Sequence, residues 1–347
     1  MSTICYVITG LRRGGAEKQL LMMTQEAISS GYKVDIYVLS QSIDMYDDFI
    51  ASGASVFILN ISKYNFIFKV FNFIRIIKNK KYKFVHAHMF HSILFSRAIK
   101  FLNPDIKIIS SAHCNEEGIG IRGLLLKITN KFSDINTHVS NVSLNLFIKN
   151  RVFSKNNSVI VSNAILTENV VTQKNMISSV GRLEVSKGFF ELIQAFKGVA
   201  DENKEIKLLI VGDGPCYDEL NDFISELELK NRVFLLGNRF DAINIIAGSR
   251  LFISMSKSES FGMAICEAIG SNVISLIPDL DAVNEVIGNE YPNYLKHSND
   301  IEEVSCKVIS LLHDDTNISI KTSSEYIKER YNSRSIFNEW KRLYTNN

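Results

Sequence analysis

The sequence predicts an α/β protein made of two doubly wound, Rossmann-like parallel-sheet domains facing across a cleft. Three observations predict it. The chain has 347 residues, more than a single core of roughly 100–200 residues uses. Short β-branched or apolar runs alternate with longer segments of helical spacing, as βαβ units require. That alternation stops once, at a polar stretch, and then restarts.

In the first half, 3–9 (TICYVIT), 33–39, 55–59, 84–87, 106–110 and 135–139 read as strands, with helical spacing over 16–30 and 91–102. After IVSNAI, the polar TENVVTQKN at 167–175 marks a hinge near 162–175. Strands then recur at 176–181, 206–211, 232–236, 250–254 and 273–277, with helices at 188–200, 216–228 and 262–270. Three more helices come after them at 299–313, 318–331 and 335–345, the last carrying the single tryptophan, Trp340. The expected divisions are 1–165, 166–330 and a C-terminal helical segment, 331–347.

Composition narrows the function. Hydrophobic residues make up 46% and charged residues 22%, which excludes disordered, collagen-like and coiled-coil classes. The five cysteines are odd in number and never form C-x-x-C, so reduced thiols of a cytosolic protein are expected, not a disulfide framework or zinc ribbon. No basic leader precedes the first strand, and no apolar run is long enough to span a bilayer. The net charge of +2 conceals an asymmetry: residues 1–165 hold 20 Lys and Arg against 10 Asp and Glu, the rest 19 against 27. A basic first half fits an anionic partner or simply a solvated lysine-rich surface. Nucleic acid is a poor candidate, since no helix-turn-helix or base-stacking motif accompanies the charge.

Open α/β sheets place their ligands beyond the carboxyl ends of the strands, so the loops there carry the candidates. In VGRLEVSKG at 180–188, Arg182 follows a strand and Lys187 stands before a helix. A forked donor and a point charge can grip one diphosphate, although spacing alone does not separate this from ordinary loop cations. In ESFGMAICE at 259–267, Phe261, Gly262 and Met263 start a helix whose free N–H groups suit phosphate or hydroxyl oxygens. Glu259 and Glu267 flank it and can accept hydrogen bonds from sugar hydroxyls; two glutamates so spaced are also common by chance. VGDGP at 211–215, with Gly214, only superficially resembles a dinucleotide fingerprint, because Tyr217 occupies the third glycine position. Gly14-Gly15, beside Arg12 and Arg13, forms another turn that tolerates phosphate. Asp279-Leu280-Asp281 is the one D-x-D, and metal use through it is a minority reading.

The order of these pieces is more specific than any one of them. GGAE at 14–17, SSAH at 110–113, VSNAI at 161–165, VGRLEVSKG, LIVGDGP at 209–215, VFLLG at 233–237 and ESFGMAICEA at 259–268 together resemble the family-4 retaining glycosyltransferases of the GT-B fold, of the bacterial surface-polysaccharide type. The resemblance covers nearly the whole chain. It implies that Gly15 offers its N–H to the donor diphosphate, that Arg182 and Lys187 neutralise that group as it leaves, and that Glu267 holds the ribose. It further implies that Glu259 binds the transferred sugar, with Phe261, Gly262 and Met263 completing those contacts. His113 is then expected to point at the donor sugar; without the resemblance it reads as a structural histidine. Gly214 and Arg239 join the donor-binding set, Arg239 near the nucleobase with Gly237 and Asn238. The closing YIKERYNSRSIFNEWKRLY resembles the family's C-terminal helix, which crosses back to the first domain. Ser260 stands where the family has glycine, Asn163-Ala164 where asparagine-glycine is common, and 268–280 is shorter than usual.

The implied function is retaining transfer of a hexose or N-acetylhexosamine from a UDP-sugar, without a metal cofactor, to a growing bacterial surface glycan such as O-antigen, capsule or lipopolysaccharide. The alternatives are a GT-B UDP-sugar epimerase and a catalytically silent glycan- or nucleotide-sugar-binding protein. Residues 62–84 interleave seven lysines or arginines with seven aromatics. That segment reads either as a core helix with a basic outer face or as a contact with an anionic membrane. The second reading suits a cytoplasmic enzyme peripheral to the membrane, with a lipid-diphosphate-linked acceptor.

Overall fold

A computed structural model of the chain describes residues 3–288, 291–292, 294–295, 300–313 and 321–345. The chain forms two compact units: Met1–Ala164 with Ser333–Asn347, and Ile165–Asn332.

In the first unit the chain runs β1 (Thr3–Ile8), α1 (Gly15–Ser29), β2 (Lys33–Val38), α2 (Tyr46–Ala51), β3 (Ser55–Ile58), α3 (Phe66–Lys80), β4 (Phe84–His88), α4 (Phe90–Leu102), β5 (Lys107–Ser111), α5 (Gly120–Thr129), β6 (Ile135–His138), α6 (Asn141–Lys149) and β7 (Ser158–Ile160). The seven strands are all parallel, in the order β3-β2-β1-β4-β5-β6-β7. Every residue of β4 is buried. Helices cover both faces of a parallel sheet, so its central strands lose the apolar–polar alternation. The inner face of α3 (Val70, Phe73, Ile74, Ile77) packs with Cys5, Val7, Tyr37 and Phe95. That half of the expectation for 62–84 is a core helix.

The second unit runs β8 (Gln173–Val180), α7 (Phe189–Glu202), β9 (Lys207–Val211), α8 (Tyr217–Glu226), β10 (Val233–Leu235), α9 (Ala242–Ala247), β11 (Ser249–Ile253), α10 (Met263–Gly270), β12 (Ile274–Pro278), α11 (Asp281–Ile287), β13 (Tyr294–Leu295), α12 (Ile301–His313) and α13 (Lys321–Arg330). Its sheet is also parallel, ordered β10-β9-β8-β11-β12-β13. The core beneath it is built from Ile177, Leu192, Phe196, Leu208, Ile210, Leu251 and Val304, among others.

The last helix, α14 (Ser333–Thr345), belongs to the first unit and packs on α1. Ser333 Oγ donates to Glu26 at 2.5 Å, Phe337 meets Tyr32 edge-on, and Tyr344 stacks on Phe84 at 4.5 Å.

Two details differ from the sequence reading. The polar stretch 167–175 is not wholly a hinge, because β8 begins at Gln173, whose N–H reaches Gly248 O at 2.8 Å. Residues 173–175 are exposed, so backbone pairing, not an apolar pattern, makes them strand. The two edge strands β7 and β13 lie beyond the expected runs, and their three- and two-residue lengths are too short to show a period. The expected helix positions 299 and 318–320 lie outside the described residues.

Candidate active site

In the second unit the strand order reverses direction at β8, with β9 on one side and β11 on the other. This is the switch point where doubly wound sheets open a crevice. The loops after β8 and β11 line it, and backbone ties them: Lys257 N–H donates to Ser186 O at 2.8 Å. Lys187 then reaches across to Glu259, with Nζ 2.8 Å from Oε1 and 3.5 Å from Ser258 O. The two side chains are 21% and 17% exposed, so the pair is sheltered yet reachable by ligand. Arg182 is 69% exposed and its Nε lies 3.4 Å from Glu184 Oε2. The two cations are thus held on different carboxylates, the arginine loosely and the lysine firmly.

Gly262 caps α10 in the left-handed region, φ 83° and ψ 51°, which a side chain would strain. As at any helix start, the first N–H groups of α10 have no acceptor within the helix. Phe261 is buried edge-on to Tyr331 at 5.2 Å and anchors that turn, while Met263 opens the helix. Glu267 is buried one turn on. Burial pushes the Cys266 thiol well up, and the Glu267 and Glu259 carboxylates add to the shift, so both acids lie near one buried thiol. Gly214 has a structural reason of its own: a Cβ there would stand 2.4 Å from Leu183 O. Its bare backbone lets the loop after β9 lie against the loop after β8, where Cys216 N–H donates to Leu183 O at 3.0 Å. Arg239 forks onto Asp241, both contacts 2.8 Å, at the surface. Asn284 Nδ2 donates to Asp279 Oδ1 at 2.7 Å, and no group of three or more metal-ligating side chains occurs among the described residues.

The first unit has its own switch point, between β1 and β4. Gly15 begins α1 after β1, with the buried Glu17 carboxyl folded back toward Gly14. Burial raises Glu17 to about 7. His113 follows β5, and its Nε2 lies 3.1 Å from His88 Nδ1. Its Nδ1 has no partner among the described residues. Burial lowers His113 to about 4, so near neutral pH it is an uncharged hydrogen-bonding group.

Sequence reasoning missed what stands behind His113. His86 and His88, two apart on β4, project to one face of the sheet. Trp340 of α14 stacks on His88 at 5.1 Å and 25° and sits 4.8 Å from His86. His86 Nδ1 pairs with Tyr344 Oη at 2.9 Å and its Nε2 with Ser111 Oγ at 2.6 Å. The i, i+2 spacing in VHAH was the available signal, but only the fold brings residues 340 and 344 to it. Glu117, buried with burial raising it to about 8, was also passed over.

Comparison with known proteins places the chain in a family. Residues 13–169 match the model described as Glycosyltransferase Family 4, and residues 165–332 the model described as Glycosyl transferases group 1. The chain belongs to the family-4 glycosyltransferases of the GT-B fold. Among curated relatives of this glycosyltransferase, N-acetyl-alpha-D-glucosaminyl L-malate synthase of Bacillus anthracis is 29% identical over 157 residues, 44% of this chain and 41% of that protein. The UDP-Gal:alpha-D-GlcNAc-diphosphoundecaprenol alpha-1,3-galactosyltransferase of Escherichia coli is 28% identical over 169 residues, 48% of this chain and 44% of that one. The matches thus span less than half the length of these relatives. Among solved structures, Anabaena Alr3699/HepE in complex with UDP and glucose superposes with a TM-score of 0.84 at 16% identity, covering 99% of both chains. At that identity the likeness speaks for the fold.

Proposed function

We propose that this glycosyltransferase moves a hexose or N-acetylhexosamine, with retention, from a UDP-sugar to a lipid-linked bacterial surface glycan. O-antigen, capsule and lipopolysaccharide are the candidate products. The observation that carries the donor half is the Lys187–Glu259 pair at 2.8 Å across the switch-point crevice, beside the open start of α10. A nucleotide diphosphate carries the charge such a lysine accepts, and a carboxylate already beside it is placed to take sugar hydroxyls.

These groups define the chemistry. As the sugar–phosphate bond breaks, negative charge grows on the diphosphate. Lys187, with Arg182 swinging off its weak contact to Glu184, stabilises that charge, each charge-assisted bond contributing about 1.5–3 kcal/mol. The N–H groups of Phe261, Gly262 and Met263 and the buried Glu267 hold donor phosphate and ribose, with Gly214 and Arg239 on neighbouring loops. Gly15 and the neutral His113 of the first unit are proposed to contact diphosphate and sugar. None of these steps calls for a metal. The acceptor reading draws on the diphosphoundecaprenol-linked substrate in the name of the E. coli relative. It comes with a cytoplasmic position at the inner membrane face, touched through 62–84, where Tyr64, Ile67, Phe68 and Phe71 are exposed. No helix of the described residues is long and apolar enough to cross a membrane.

The test is a thermal-shift series with UDP-, GDP-, ADP- and CMP-sugars, since a ligand that binds the native state raises Tm. UDP-sugars are expected to give the largest shift. A preference for another base, or no shift with any, overturns the donor assignment. Product analysis with and without acceptor then separates transfer from epimerisation.

A further inference from the structure

We infer that α5, and not only the 62–84 segment, is a membrane-docking surface, and that it takes an anionic phospholipid bilayer. The inference deepens the membrane placement proposed above and rests on it.

Helix α5 is apolar on the wrong side for a free surface helix. Its buried face holds only Gly123 and Leu126. Outward it presents Ile121, Leu124, Leu125 and Ile128, between 39% and 78% exposed, preceded by Ile119 at 58%. The spacing i, i+3, i+4, i+7 makes one continuous stripe, here turned to solvent. Phe101 and Leu102 at the end of α4 are exposed as well, and Phe101 meets Phe132, just past α5, at 5.4 Å.

The helix is held firmly in this orientation. A Cβ on Gly123 would stand 2.3 Å from Gly118 O, so the glycine lets α5 lie directly on the turn Asn115–Gly118. The buried Arg97 of α4 fastens the other end, donating to Leu126 O at 2.7 Å and Thr129 Oγ1 at 3.0 Å. The stripe is therefore a built feature of the unit.

Charge chooses the occupant. Residues 118–133 contain Arg122, Lys127 and Lys131 and no carboxylate. Asp134, next in the chain, is paired to Lys100 at 3.0 Å. Exposed Glu116, in the turn before α5, is the acidic group at its margin. An exposed apolar stripe bordered by three cations against that one acid keeps a net positive rim, which fits lipid chains below an anionic headgroup layer. A second copy of this chain would set like charges against each other across a two-fold axis. The same turn, Asn115–Gly118, joins α5 to the His113 loop, so docking through α5 holds that loop near the bilayer, where a lipid-linked acceptor is anchored.

The test is flotation of the full chain with phosphatidylcholine vesicles, with and without phosphatidylglycerol. Wild type is expected to float only with the anionic vesicles. Leu124→Ser/Ile128→Ser is expected to lower that partition about tenfold while keeping the wild-type Tm and donor-induced shift. Ile67→Ser/Phe68→Ser is the parallel arm for 62–84. If the α5 variant floats like wild type while the 62–84 variant is lost, the α5 proposal falls and the membrane placement through 62–84 stands. Wild type failing to float overturns both. Leu124→Trp supplies a direct readout: its emission is expected to shift to the blue on anionic vesicles, and an unchanged spectrum overturns the proposal. A dimer in solution that the α5 variant dissociates, without vesicle binding, does so too.

Discussion

The two units share one architecture and use it in opposite ways. Each is a parallel sheet whose strand order reverses near its centre, so each has a crevice at the carboxyl ends of its strands. In the second unit the crevice is ionic, with Lys187 and Glu259 paired 2.8 Å apart and Arg182 in solvent. In the first, the loop after β5 carries the half-buried, neutral His113, which leans on a buried sheet-face platform of His86 and His88 covered by Trp340 and Tyr344. The difference teaches that a doubly wound sheet does not dictate the chemistry at its edge. The segments that meet the strands do: polar loops with glycine turns beyond their ends in one case, a helix from the far end of the chain laid along their face in the other.

The largest effect that would break this contrast lies in the first unit. Trp340→Ala removes a buried ring that packs on Tyr6, His86 and His88, and is expected to destabilise that unit by about 3–5 kcal/mol in denaturant unfolding. A loss below about 1 kcal/mol would mean that the platform stands without α14. Next, in the second unit, Lys187→Ala is expected to lower kcat by about 10²-fold or more with little change in stability, the signature of a contact that tightens in the transition state. Steady-state transfer assays check it, and an unchanged kcat removes the leaving-group role.

The pH dependence of stability separates neutral from ionic edge. Burial lowers His86, His88, His113 and His138, the last two to about 4 and about 3. Below the ordinary histidine value near 6.5 the unfolded chain therefore takes up protons that the native state refuses, and stability falls with pH. Glu17 and Glu117, raised to about 7 and about 8, act the other way, keeping protons that the unfolded chain releases above about 4.5. Four histidines outweigh two glutamates, so Tm is expected to drop between pH 6.5 and 5. A flat or rising Tm would mean that the platform is not neutral.

Two smaller effects sharpen the ionic side. Glu267→Gln, at the buried position on α10, is expected to raise the KM for the donor about tenfold, the loss of one charge-assisted hydrogen bond. Arg239→Ala, at an exposed fork with Asp241, is expected to change it by less than about threefold, as exposed ion pairs contribute little.

Much of the molecule was legible in the sequence, and the remainder was hidden for physical reasons. The βαβ rhythm appeared because buried strands carry short continuous apolar runs, as at 208–211 in β9. Edge strands β7 and β13 were too short to carry a period, and the start of β8 at Gln173 is polar. Arg182, Lys187, Glu259 and Gly262 could be singled out because each lies between a strand and the helix that follows it. That Lys187 already holds Glu259 could not be read, since the two are 72 positions apart. The histidine platform joins residues 6, 86, 88, 113, 340 and 344, a grouping that no local spacing encodes. The amphipathic half of 62–84 was visible, but the inverted stripe of α5 was not, because its apolar residues read equally well as core until the fold shows which side is covered.

Whether Lys187 meets a diphosphate is the central question, and calorimetry of UDP against uridine tests it most directly. Wild type is expected to bind UDP at least about tenfold more tightly than uridine, and Lys187→Ala to lose most of that margin while its affinity for uridine stays the same. If the variant keeps the full margin, or weakens for both ligands alike, the lysine is not the diphosphate's partner.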